Sequence, residues 1–302
     1  MNPYCPICNS NFVTEFYRAI NQPVNENVLF DNENDAKRSS IGDIEMFFCN
    51  NCGFAFNNSF QLGKVDYSSD YKYTQPPSNI FNTYIENLIY KIIKDYNIRN
   101  SSLIEIGCGK GDFLRKLCKL GNNRGLGFDT SYEGPLEIIE ENLQFKKDFF
   151  SMEKVGFNPD FIFSRQVLEH IPHPMSIISE IYNVFNDNSG KVFIETPNLE
   201  WILSNNILWD FYYEHCSYYT SNSLSYLLKK NGFNNITTEN LFNNQYVGIF
   251  ASKNNQTKNN DNMLFENDEQ HYELINKIKK FSENARLIKS TISKSNQTEH
   301  YI

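Results

Sequence analysis

No run of about 18 apolar residues occurs in this chain, so no candidate membrane-spanning helix can be placed in it. Its first residues, Met1-Asn-Pro-Tyr-Cys5, lack the basic and apolar regions of a secretory signal. Cations are scarce: 28 Lys and Arg stand against 36 Asp and Glu, a net charge of −8. Non-specific binding to nucleic acid needs a basic field that displaces counterions, so nucleic acid is not an expected partner and a small molecule is. No Gly-Lys-Ser/Thr ends a glycine loop, which excludes a P-loop. Internal repeats are absent as well. These absences point to a cytoplasmic chain, and 302 residues suffice for one large domain with one or two small ones.

Four of the seven cysteines sit in two Cys-x-x-Cys pairs, Cys5-Pro-Ile-Cys8 and Cys49-Asn-Asn-Cys52. In a reducing compartment such pairs are metal ligands before they are disulfides. Each knuckle supplies two thiolates, and two knuckles close a tetrahedral site with no open position, which is the pattern of a structural Zn2+. Cys5, Cys8, Cys49 and Cys52 are therefore the expected ligands. Cys108, Cys118 and Cys216 are read as small apolar residues. Between the pairs, Asn21 to Ser40 is polar and shows no sustained periodicity. Residues 1–62 are thus expected to form a zinc-binding module with little core of its own, held by the metal.

Residues 63–98 read as a Tyr-rich connector, ending at Pro76-Pro77, followed by an amphipathic helix carrying Phe81, Tyr84, Ile85, Leu88, Ile92 and Tyr96. From 99 to 252 short apolar strands alternate with helices. Strands are expected at 102–106, 124–128, 161–164 and 191–196, and helices at 112–120, 175–185 and 223–230. Two closely spaced strands near 236–241 and 246–251 suggest an antiparallel hairpin at the sheet edge. This alternation predicts an α/β fold, a doubly wound and mostly parallel sheet. Residues 253–302 read as a polar linker and a charged helix, solvated or in contact with a second copy.

The loop after the first of these strands reads Glu105-Ile-Gly107-Cys-Gly109-Lys-Gly111. Glycines let the backbone turn sharply and approach a ligand closely, and the next helix offers free N–H groups there. The spacing is not the Gly-x-Gly-x-x-Gly of dinucleotide binders. Asp129 closes the second strand, where a carboxylate can accept from ribose hydroxyls. Leu103-Ile-Glu-Ile-Gly-Cys-Gly-Lys-Gly-Asp-Phe-Leu114 resembles the first motif of class I S-adenosylmethionine-dependent methyltransferases, whose core is Rossmann-like. Phe163-Ser-Arg-Gln-Val-Leu-Glu-His-Ile-Pro172 is similar to the fourth-strand motif of that superfamily. The resemblance implies S-adenosylmethionine as cofactor. It implies Glu105, Gly107, Gly109, Gly111, Asp129, Asp148, Phe149 and Arg165 as the residues around it, with Gly107 and Gly109 at the methionine part, Asp129 at the ribose, and Asp148 and Phe149 near the adenine.

A third cluster, Tyr212-Tyr-Glu-His-Cys-Ser-Tyr-Tyr219, follows the fifth strand. A Glu beside a His offers a base and a group that tunes it, and Tyr hydroxyls can steady negative charge on oxygen. The set suits removal of a proton next to a carbonyl; a Tyr-rich cap with a satisfied His is the simpler reading of the same residues. Over residues 3–252 the combination of thiolate module, Tyr-rich connector, cofactor core and Tyr-x-Glu-His resembles the sugar C-methyltransferases that act on nucleotide-linked 4-keto deoxysugars. That resemblance implies Tyr212, Glu214 and His215 as the catalytic Tyr, Glu and His, His170 as a further active-site His, and Tyr73 (or its neighbour Tyr71) as the connector Tyr. The family continues into a large C-terminal α/β domain, where this sequence has a linker and a helix. Glu169 also stands where that family often has a small residue. Methylation at oxygen, and a non-catalytic binding module on the same scaffold, are the alternative readings.

Overall fold

This computed structural model describes residues 3–26, 28, 30–65, 78–186, 189–254 and 268–298. The chain starts with a long antiparallel hairpin, β1 (Val13–Pro23) and β2 (Ile41–Cys49), joined by a segment holding the short helix α1 (Glu33–Lys37). In β2 the residues Ile44, Met46 and Phe48 alternate inward and are almost wholly buried, the period-two pattern of a strand with one covered face. In β1 that period is broken by register shifts between Glu15 and Tyr17 and between Ala19 and Gln22. β3 (Ala55–Asn57) pairs with β2, and the fourth strand of this sheet, β10 (Ser217–Tyr218), arrives from far along the chain.

The second sheet holds the parallel core. After α2 (Asn79–Tyr96) come β4 (Ser102–Ile106), α3 (Asp112–Gly121), β5 (Arg124–Phe128), β6 (Glu137–Ile138) and β7 (Leu143–Lys146). β8 (Phe161–Arg165), α4 (Pro174–Val184), β9 (Gly190–Pro197) and α5 (Leu199–Asn205) complete its other half. α6 (Ser221–Lys230), β11 (Asn234–Leu241) and β12 (Tyr246–Lys253) follow. The strand order is β11-β12-β9-β8-β4-β5-β7-β6. The five strands β9, β8, β4, β5 and β7 are parallel, whereas β12, β11 and β6 pair antiparallel. The order reverses between β4 and β8, and ligands of open α/β sheets bind in the crevice at the carboxyl ends there.

Glycine is scarce, and asparagine takes its place where helices end. Asn97, Asn122 and Asn206 adopt left-handed geometry as the C-caps of α2, α3 and α5. Asn tolerates this region because its short polar side chain bonds locally.

The structure differs from the sequence reading at both ends of the chain. The N-terminal segment does have a core. Phe16, Val24, Ile44, Met46 and Phe48 pack with Leu199, Ile202, Phe211, Tyr213 and Tyr218, and with Leu274, Ile278, Phe281 and Ala285 of the last helix, α7 (Asp268–Thr298). Each such buried apolar side chain contributes about 1.5–3 kcal/mol. Metal is therefore not the sole support of this segment, and α7 covers a core face in place of standing free in solvent. Of the two tryptophans before the Tyr-Glu-His cluster, Trp209 is exposed and Trp201 packs at the edge of this core.

Candidate functional site

The four thiols meet between the open end of the N-terminal hairpin, where Val13 pairs with Cys49, and the start of α6. Cys5 Sγ lies 3.6 Å from Cys52 Sγ, and Cys8 Sγ lies 3.5 Å from Cys49 Sγ. All four sulfurs fall within 4.8 Å of one another. The edge of a tetrahedron with about 2.3 Å metal–sulfur bonds is roughly 3.8 Å, so the set fits such an ion without rearrangement. Backbone turns shape both knuckles: Asn9 N–H donates to Cys5 O, and Gly53, at φ 76°, returns its N–H to Cys49 O. Hydrogen bonding to Cys49 raises Cys5 and Cys52 above the ordinary thiol range and lowers Cys8, the uneven proton sharing of four crowded thiols. Asn51 Nδ2 points at Cys8 Sγ from 3.5 Å. The second knuckle is tied to the α6 N-terminus, where Thr220 Oγ1 donates to Gly53 O and Asn222 Nδ2 to Cys52 O. Cys108, Cys118 and Cys216 are buried apart from this cluster.

At the carboxyl end of β4, Gly107, Gly109 and Gly111 all have positive φ. Asp129, just past β5, accepts the Gly109 N–H at Oδ2 over 2.7 Å. Its Oδ1 accepts both the N–H and the hydroxyl of Ser131. The carboxylate thus fixes the loop and keeps one Oδ2 lone pair for a ligand. A Cβ on Gly109 would meet nothing within 4 Å, which leaves open space in front of the loop. The free Asp129 oxygen and the open glycine loop are the donor set that an adenosyl group would need. Glu105 faces inward and accepts the Leu114 N–H at 3.2 Å, joining β4 to α3. Burial pushes its carboxyl up to about 8, opposed by the Arg165 guanidinium. Asp148 and Phe149 lie beyond β7; Asp148 pairs with Lys154 at 2.5 Å, which holds its carboxyl low, and Phe149 is exposed.

Arg165, at the end of β8, lies over the Phe113 ring and donates to Glu195 Oε1 at 3.0 Å. Glu195 is fully buried and gathers more: Tyr84 of α2 donates its hydroxyl, and Gln166 donates Nε2 at 3.1 Å. Gln166 sits at φ 52°, a region that costs a non-glycine residue energy, and its N–H is fixed to Glu195 O. Sequence reasoning missed Tyr84, Gln166 and Glu195. The signal for the last was available, since an acid inside the apolar run Val192-Phe-Ile-Glu195 needs a partner.

The Tyr-Glu-His segment lies beside the turn after β8. The imidazoles of His170 and His215 meet edge to face, 4.6 Å between centroids, and Tyr212 lies against His215 at 4.2 Å. Glu169, 1% exposed, accepts from Thr196 Oγ1 of β9 at 3.3 Å. Burial keeps both imidazoles neutral: His170 is lowered to about 4, against a hydrogen bond to the Glu214 carbonyl, and His215 is lowered well below its ordinary value. Nδ1 of His215 is buried without a hydrogen-bond partner. Here the structure differs from the expectation that Glu214 tunes His215. The Glu214 carboxylate accepts the Glu26 N–H at 2.8 Å and so ties Glu26 to this segment. Glu26, also missed, hydrogen-bonds Tyr212, and burial with Glu214 nearby raises its carboxyl. Tyr73 and Tyr71 lie outside the described residues.

The glycine loop and this cluster adjoin, because Val167, two residues before Glu169, fills the space in front of the Gly107 Cα. The carboxyl end of the parallel sheet therefore carries the glycine loop next to a buried, neutral imidazole.

A family model described as a methyltransferase domain matches residues 81–238, just over half of the chain. Ubiquinone biosynthesis O-methyltransferase of Nitrosococcus oceani is 27% identical over 111 residues, 34% of this chain and 46% of that protein. tRNA U34 carboxymethyltransferase of Sulfurimonas denitrificans is 26% identical over 146 residues, 41% of this chain and 46% of that protein. The chain spans about half the length of the curated relatives it matches. Among solved structures, an S-adenosylmethionine-dependent methyltransferase from Archaeoglobus fulgidus is 18% identical with a TM-score of 0.44, covering 58% of this chain and 100% of that one.

Proposed function

The chain belongs to the methyltransferase-domain family, and on that premise we propose that it moves a methyl group from S-adenosylmethionine to a carbohydrate, at a carbon next to a ketone on a nucleotide-linked keto-deoxysugar. The observation that carries this reading is His215: a buried imidazole, held neutral, with an unpartnered Nδ1 and a Tyr ring against it. A general base must be uncharged before the reaction and within hydrogen-bond reach of the proton it takes.

The bound cofactor supplies an electrophilic methyl, which needs positioning and no further activation. Gly107, Gly109 and Gly111 would shape its seat and Asp129 would hold its ribose. Arg165, fixed by Glu195, would border the methionine end. On the acceptor side, His215 takes the proton, and the Tyr212 hydroxyl, which donates to Glu26 in this structure, would turn to the ketone oxygen and steady its charge. His170 donates to the Glu214 carbonyl and so fixes the backbone that carries His215. Glu214 holds the Glu26 segment as a cover that excludes water. Tyr73 of the connector is assigned to the same acceptor pocket by resemblance. Zn2+ is assigned to Cys5, Cys8, Cys49 and Cys52 as a structural ion, since their sulfurs are already spaced for it. Among the described residues no helix is long and apolar enough to cross a membrane.

Methylation at oxygen is the second reading, favoured by the relative named as an O-methyltransferase, and it needs one base and no enolate. Incubating the protein with nucleotide keto-deoxysugars and isotope-labelled cofactor in deuterated water separates the two by mass spectrometry. Methyl gain coupled to loss of a carbon-bound proton supports carbon transfer. Methyl gain with every such proton retained assigns oxygen, and no gain with any keto sugar removes the carbohydrate reading.

A further inference from the structure

Glu169, His170 and His215 each offer a ligand atom, and these atoms all lie within 4.8 Å of one another. Two of the three residues carry a buried polar atom that nothing satisfies: Oε1 of Glu169 and Nδ1 of His215. Leaving such atoms unpaired in a desolvated place costs about 1–3 kcal/mol each. Two of them within one cluster, on residues that are 1% and 6% exposed, call for a partner that accepts lone pairs. Among the described residues neither atom has a hydrogen-bond partner, and the nearby Thr196 hydroxyl and Cys216 Sγ are spent on Glu169 Oε2 and Glu169 O. A cation satisfies both at once.

We propose that Glu169, His170 and His215 form a second divalent-cation site of the Zn2+ or Co2+ class, separate from the four thiolates, and that its occupancy withdraws the His215 lone pair from the acceptor. Two imidazoles and one carboxylate are a borderline donor set that selects such cations over Mg2+ or Ca2+. Metal–ligand bonds of about 2.0–2.2 Å set donor atoms roughly 3.4 Å apart in a tetrahedron, so the set closes on an ion by small side-chain movements. The outer contacts that orient metal ligands are in place. His170 donates to the Glu214 carbonyl, which fixes its ring, and Thr196 holds the far carboxylate oxygen of Glu169. Three protein ligands leave a fourth position open. The inhibitory consequence rests on the reading of His215 as base; the binding itself does not.

Protein carrying one Zn2+ on its thiolates is titrated with Co2+. One further equivalent is expected, giving visible d–d bands without the near-ultraviolet thiolate charge-transfer of a cysteine site. Glu169→Gln is expected to weaken this equivalent about tenfold or more while circular dichroism stays unchanged. Zn2+ added beyond the first equivalent is expected to move the ring nitrogen signals of two of the five histidines in the unmodified protein. Failure to bind an equivalent of Co2+ beside the Zn2+, equal binding by folded Glu169→Gln, or unmoved histidine signals would overturn the site. If the cation binds and methyl transfer continues unslowed, the site stands and the base assignment of His215 fails.

Discussion

His170 and His215 stand edge to face 4.6 Å apart, and the first donates to the carbonyl of Glu214, the residue before the second. One histidine therefore positions the other through the backbone. Both come from short turns at the carboxyl side of the parallel sheet, and both are held neutral by burial.

Replacing His215 with Ala removes the only imidazole in the cluster that carries an unpartnered buried nitrogen. Turnover should fall about 10²–10⁴-fold, the usual contribution of a positioned general base. Affinity for S-adenosylmethionine, measured by calorimetry, should change little, because the glycine loop and Asp129 lie on other elements. Undiminished turnover would remove the base assignment.

Asp129→Asn should act in the opposite way. It weakens the acceptor of the Gly109 N–H and removes the charge beside the ribose seat. Hydrogen bonds to charged groups contribute about 1.5–3 kcal/mol, so cofactor affinity should drop roughly tenfold to a hundredfold. Calorimetry that shows equal binding would dissociate this carboxylate from the cofactor.

Glu105 gives a stability signature in pH. Its folded value, about 8, lies above its ordinary 4.5, because burial disfavours the charged form. Between those values the folded state holds a proton that the unfolded state has lost. Stability therefore falls as pH rises through this window, by about 1.4 kcal/mol per unit at most. Urea denaturation at intervals between pH 5 and 8 should show a slope that is shallower in Glu105→Gln, which keeps an acceptor for Leu114 N–H without the charge. Identical slopes would show that Glu105 does not titrate there.

Chelation of the thiolate metal should loosen the knuckles and spare the hairpin. Hydrogen exchange is expected to speed up at residues 5–12 and 49–54. Protection should persist along β1 and β2, which are held by Leu199, Phe211 and Phe281. Exchange spreading through the whole hairpin would show that the metal alone holds it.

Much of the parallel sheet was legible in the sequence because its strands are short, apolar and separated by helical periodicity. The Leu103–Ile106 run and the glycines after it marked β4 and its loop from the residues themselves. The N-terminal sheet was not legible. Register shifts near Glu15 and Ala19 break the alternation of β1, and its burial depends on α7, some 250 positions away. Distance along the chain also hid Glu26, which looks like one more polar residue of the insert until it meets Tyr212. Asn97, Asn122 and Asn206 cap three helices in a chain with few glycines, a role that composition alone does not announce. Local spacing announces thiolate pairs and glycine loops; it is silent about which buried atoms end without a partner.

The pairing of Ser217 and Tyr218 with Phe56 and Ala55 sets where the imidazole of His215 can stand, since only Cys216 intervenes. Phe54, next along that path, follows the second knuckle directly and returns its carbonyl to Cys49 N–H. The His215 ring thus takes its place from the second knuckle's strand on one side and from His170 of the parallel-sheet half on the other. On the proposed reading of His215 as the base, losing the thiolate ion would disturb the strand that leads to that ring before it disturbed the rest of the sheet.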